Sequence, residues 1–144
     1  MPSDKTVRWS AVVFSIVFAI VVSMGYIPGL NPHVHDPSAA PMAPGEHTMM
    51  GLYVISLLDD VTHVLSALLF LAGAIHSARM SRLALTAFGW YYAYDATIYI
   101  VTGILQQKPL GANLGLNGPH VILSSIMLFL AYRGRANVPK AAVA

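Results

Sequence analysis

Between Arg8 and Asp36 the chain carries no Asp, Glu, Lys or Arg, and Trp9 to Ile27 is almost wholly apolar. A run of that length and character fits a membrane-spanning helix better than any element of a water-soluble domain. Three more such stretches follow: about residues 50–78, 83–105 (broken by the single charge of Asp95) and 119–133. Only 10% of the 144 residues are charged, where a soluble domain carries about a quarter. The sequence therefore predicts an all-α, polytopic membrane protein of four transmembrane helices in one domain. It excludes a disordered tail and a nucleic-acid-binding module. With no cysteine, disulfides, iron–sulfur clusters, c-type haem and thiolate metal sites are excluded too.

The eight cations set the orientation. Lys5 and Arg8 precede the first span, Arg79 and Arg82 separate the second from the third, and Arg133, Arg135 and Lys140 follow the fourth. Only Lys108 falls on the other side. The positive-inside rule places both termini and the Arg79–Arg82 turn in the cytoplasm. The Pro- and His-rich segment 28–49 and the turn 106–117 then face outward. In that outer turn Gly111, Gly115 and Gly118 read as turn glycines beside Asn113 and Asn117.

Two stretches resemble each other. His63-Val-Leu-Ser-Ala-Leu-Leu-Phe-Leu-Ala72 can be laid, with small offsets, over His120-Val-Ile-Leu-Ser-Ser-Ile-Met-Leu-Phe-Leu-Ala131, and each histidine follows a polar residue three positions earlier, Asp60 or Asn117. The expectation is a tandem two-helix repeat. Counted from the cytoplasmic arginines at 1.5 Å per residue, His63 lies ~24 Å deep and His120 and Asp95 each ~20 Å deep. One polar layer in the outer leaflet results, with Asp59 and Asp60 a turn further out. Ionisable groups at membrane depth face a bundle interior or cavity and pair with one another.

Three chemistries suit that layer. Imidazoles and carboxylates can fasten helices together. Asp59, Asp60, His63, Asp95 and His120 are also a candidate metal set, suited without sulfur to copper or zinc. His63 and His120, from different helices at similar depth, are candidate axial ligands of a b-type haem. Asp59-x3-His63-x12-His76 resembles a copper site in the C subunit of copper membrane monooxygenases, but on one unbroken helix His63 and His76 stand ~20 Å apart. His33, His35 and His47 form a separate candidate metal site in the outer segment. No nucleophile elbow, phosphate loop or zinc-protease motif occurs, so the chain does not read as an enzyme.

Ile27-Pro-Gly-Leu30, Gly51-Leu-Tyr-Val-Ile-Ser-Leu-Leu-Asp-Asp-Val-Thr-His63-Val-Leu and Asn117-Gly-Pro-His120-Val-Ile-Leu together resemble the bacterial four-helix membrane family named domain of unknown function 4383, over roughly residues 9–133. That family shows His-Asn-x-x-His at the start of its second helix and Asp-Asn-x-x-His at the start of its fourth. His63, His120 and Asn117 match these motifs. Asp59 and Asp60 stand where the first motif has His and Asn, Leu116 stands where the second has its acid, and Asp95 has no usual counterpart. The resemblance implies a four-helix membrane fold in the bacterial plasma membrane and supplies no activity. The functional expectation is a non-catalytic accessory or scaffold subunit, with the lipid bilayer and other membrane-protein subunits as partners. The alternatives are a copper-, zinc- or b-haem-binding redox or transport component, and a proton or small-solute channel.

Overall fold

The computed structural model describes residues 3–27, 46–49 and 53–133. Among them the chain forms four helices and one short hairpin: α1 (Asp4–Tyr26), β1 (His47–Met49), β2 (Tyr53–Ile55), α2 (Leu57–His76), α3 (Ala78–Leu105) and α4 (Leu110–Tyr132). The fold is all-helical apart from that hairpin. Three helices, α1, α2 and α4, are long and apolar enough to cross a membrane.

Local chemistry sets the boundaries. α1 starts at Asp4, ahead of the expected Trp9, because the Ser3 hydroxyl accepts the Thr6 N–H at 3.1 Å. Such a cap satisfies one of the donors that a helix start leaves open. α2 starts at Leu57, later than the residue-50 boundary read from hydropathy. Tyr53–Ile55 pairs as a strand with His47–Met49, in the register His47↔Ile55 and Met49↔Tyr53. Ser56 then caps the helix and Asp59 reaches back to it, a capping box. The Ser56 N–H and hydroxyl donate to Asp59 Oδ2 at 2.9 and 2.7 Å, and Ser56 Oγ accepts the Asp59 N–H at 3.3 Å.

Between α2 and α3 only Ser77 intervenes, and its side chain accepts the Met80 N–H at 3.2 Å. α4 corrects the sequence reading most. Gly111, Gly115 and Gly118 lie inside this helix, not in a turn, and it runs on through Pro119. The turn is confined to the residues around Gln107, which has φ 56°. Asn113 explains the early start of α4. Its amide is almost fully buried and donates to the Ile100 carbonyl of α3 at 2.9 Å, while Asn117 donates to Asn113 Oδ1 and to its carbonyl. These anchors hold the first turns of α4 on α3 despite three glycines.

Every helix buries a stripe at alternating three- and four-residue spacing. It runs through Val7, Ala11, Phe14 and Phe18 on α1; Asp60, His63, Ala67, Phe70 and Ala74 on α2; Ser81, Leu85, Gly89, Tyr92 and Ala96 on α3; and Ser124, Met127 and Ala131 on α4. That 3.5-residue period is the signature of helices packing side by side at shallow angles. Small residues in the stripe permit close approach, which drives helix association where lipid tails remove the hydrophobic incentive.

The chain divides into two compact units, Val12–Leu71 and Met1–Ala11 with Ala72–Ala144. In the first, Phe70 stacks on Phe14 and Phe18 at centroid distances of 5.6 and 5.9 Å, so α1 and α2 pack along these rings. In the second, α3 and α4 form an antiparallel pair. Gly89 faces Met127 and Leu128, and the Trp90 indole donates to the Tyr132 hydroxyl at 3.0 Å. The same unit gathers cations around helix ends. Arg8 donates to the Ala74 and Ile75 carbonyls at 2.7 and 3.2 Å, closing the C-terminus of α2, and Arg82 lies 3.6 Å from Asp4.

Candidate functional site

Each unit holds one carboxylate within a helix beside an imidazole. In unit Val12–Leu71 the carboxylate is Asp60, 6% exposed, in the first turn of α2. The Tyr26 hydroxyl, from the last turn of α1, donates to Asp60 Oδ2 at 2.5 Å. His47, on β1, places Nε2 3.7 Å from the same oxygen, beyond hydrogen-bond reach, with its ring 5.0 Å from that of Tyr26. One turn further along α2, buried His63 stacks on Phe18 at 5.7 Å with the planes 28° apart.

In the other unit His120 Nδ1, on α4, donates to Asp95 Oδ2, on α3, at 2.8 Å. The Tyr92 ring lies 5.1 Å from the imidazole. Both side chains stay partly exposed, His120 at 29% and Asp95 at 25%. A charge-assisted bond of this length is strong in a water-poor setting. Interhelical polar contacts in membranes are nonetheless worth on average about 0.6 kcal/mol and at most about 2 kcal/mol, because the separated helices find other partners.

The expected five-residue set is thus distributed. Asp95 and His120 meet in one unit; Asp59, Asp60 and His63 belong to the other. Asp59 is occupied by Ser56 as a helix cap. Asp60 is held by Tyr26 and approached by His47, which sequence spacing had assigned to a separate loop site with His33 and His35. Those two histidines lie outside the described residues. Among the described residues, no three His, Asp or Glu side chains gather in a way that could hold a metal ion. His63 and His120, the candidate haem ligands, lie in different units.

Sequence reasoning missed three contributors. Ser56-x-x-Asp59 is a capping-box signature and was legible as such. Tyr26 carried the weaker signal of a phenol at the end of a span, and nothing in the sequence joined it to Asp60. Gly25 had no visible role. In the structure, a Cβ added there would overlap His47 Nε2 and Cδ2, so the imidazole sits where only glycine leaves room.

No curated protein and no solved structure matches the chain. A family model does match, over residues 8–133, and covers all four helices but for the first residues of α1. The chain belongs to the family described as Domain of unknown function (DUF4383).

Proposed function

We propose that this protein is a non-catalytic accessory or scaffold subunit of a larger membrane assembly, with all four helices spanning the bilayer and both termini cytoplasmic. The observation that carries this reading is the outward face of α3. Trp90, Tyr91 and Tyr94 are 57, 46 and 68% exposed. Counted from Arg82, Tyr94 stands ~18 Å along the helix, near mid-bilayer if α3 spans. A phenol hydroxyl facing hydrocarbon there has no water to bond with, and such a group is costly unless satisfied within protein. A neighbouring subunit's helix offers the acceptors that lipid tails lack.

The tandem-repeat reading draws support from the buried stripes. At one constant offset, Val7, Ala11, Ser15 and Phe18 of α1 correspond to Ser81, Leu85, Gly89 and Tyr92 of α3, all buried. At another, Ala67, Phe70 and Ala74 of α2 correspond to Ser124, Met127 and Ala131 of α4. The second offset also maps His63 onto His120, and each of these histidines lies against an aromatic ring at corresponding positions, Phe18 and Tyr92. The Tyr26–Asp60 and His120–Asp95 contacts then serve as fastenings, one in each helix pair of the repeat.

The test is the size of the native assembly. Solubilised in mild detergent, the tagged protein is expected to migrate in a stoichiometric complex larger than the single chain. The double variant Tyr91→Leu/Tyr94→Leu is expected to migrate as the isolated chain with unchanged helix content. A parent protein that purifies alone would overturn the reading.

The partial exposure of the Asp95–His120 pair favours a second reading, a proton or small-solute path along it. That reading expects flux into proteoliposomes that Asp95→Asn abolishes; flux indifferent to the substitution removes it.

A further inference from the structure

We propose that Lys5 and Arg79 form a binding site for the phosphate of an anionic phospholipid headgroup, where α1 and α3 begin within unit Met1–Ala11 with Ala72–Ala144. The site rests on the reading above that both helices span the bilayer, and it requires no partner subunit.

The contact between Asp4 and Arg82, 3.6 Å long, brings the first turn of α1 beside the first turns of α3. Lys5 follows Asp4 in sequence. Arg79 lies one turn ahead of Arg82 and so on the same side of α3. Two cations from different helix starts therefore flank one ion pair.

The charges at this end do not balance. Asp4 is engaged by Arg82, and Arg8 offsets the negative end of the α2 dipole at the Ala74 and Ile75 carbonyls. Lys5 and Arg79 are exposed and have no ion-pair partner among the described residues. The rest of the sequence offers them none. Residues 1–3 and 134–144 contain no Asp or Glu, and Asp36 and Glu46 fall in the connection beyond the far end of α1. Asp60 and Asp95 each stand ~24 Å away along their helices, and Asp59 further still. With both helices across a bilayer, this end sits at headgroup level, where the counter-charge to hand is a phospholipid phosphate. Each cation near an anionic membrane surface contributes a factor of roughly five in affinity. One phosphate bridging Lys5 and Arg79 would also tie α1 to α3.

The test follows the thermal midpoint of the full chain, purified in an uncharged detergent, as phosphatidylglycerol or phosphatidylcholine of the same acyl length is added. Phosphatidylglycerol should raise the midpoint by several degrees, because a ligand of the folded state stabilises it. Phosphatidylcholine should not. The double variant Lys5→Gln/Arg79→Gln should keep its midpoint in detergent alone and need roughly 25-fold more phosphatidylglycerol for half the effect. Lys108→Gln, which removes a cation past the opposite end of α3, should respond as the parent does. An equal response of the parent to both lipids would overturn the proposal. So would a double variant that keeps the parent's response, or a Lys108→Gln protein that loses as much. An equal response to inorganic phosphate would reveal a free-anion site and overturn the lipid assignment. The spans are read separately. The chain contains no cysteine, so Lys5→Cys and Lys108→Cys report singly in sealed vesicles, and an impermeant maleimide should reach them from opposite sides. Labelling of both from one side would overturn the spanning reading itself.

Discussion

Asp60 and Asp95 are both carboxylates placed within helices beside an imidazole, yet their surroundings differ in kind. Asp60 is nearly sealed and its close hydrogen bond comes from a phenol, with His47 held off at 3.7 Å. Asp95 is a quarter exposed and takes its bond directly from His120 at 2.8 Å. The first arrangement suits a permanent joint between α1 and α2, while the second leaves a polar pair accessible at the α3–α4 seam. A short hydrogen bond is therefore not what separates them. Burial and the chemistry of the donor are.

The largest effect should follow from breaking the sealed site. Asp60→Ala strands the Tyr26 hydroxyl and opens a void, and should lower stability by about 2–4 kcal/mol, read as a drop in thermal midpoint in detergent. Asp95→Ala should cost only about 1–2 kcal/mol, since an interhelical polar contact in a membrane is worth no more than about that. Equal losses would break the contrast.

Gly103→Ala sharpens the comparison on the α3–α4 side. Its Cβ would overlap the buried Asn113 amide, which has no free space to retreat into, for an expected loss of about 1–3 kcal/mol. Ser56→Ala, which removes the cap of α2, should cost about 1 kcal/mol. The smallest effect belongs to Gly111→Ala and Gly115→Ala, where an added Cβ meets nothing within 4 Å. In the isolated chain these should be neutral or stabilising by about 0.5–1 kcal/mol through helix propensity. A marked loss confined to the native assembly would show that a partner covers that face.

Much of this architecture was legible because charge scarcity and apolar period act over many residues at once. The four helices follow from these; Asp95 and His120 were read only as members of one five-residue polar layer, without being matched to each other. What stayed hidden depends on single contacts. Hydropathy runs through residues 50–60 without a break, so β2 and the Ser56 cap left no mark on it. Three glycines beside Asn113 and Asn117 argued for a turn, whereas the Asn113 amide, bonded across to Ile100, anchors those residues as helix. Asp60 was read with its neighbours on α2, whereas its partners come from the end of α1 and from β1. Packing between distant segments has no spacing rule to betray it.

The order in which the two carboxylates are synthesised separates them once more. Tyr26 and His47 both precede Asp60, so when α2 emerges from the ribosome its acid finds its neighbours already made. Arg8, which closes the far end of α2, is older still. Asp95 emerges 25 residues ahead of His120. During biogenesis the α1–α2 joint can therefore be completed before α3 exists, while α3 must wait, its acid unmatched, for α4. Truncation after α2 should leave a settled helical hairpin, and truncation after α3 a chain for quality control to remove.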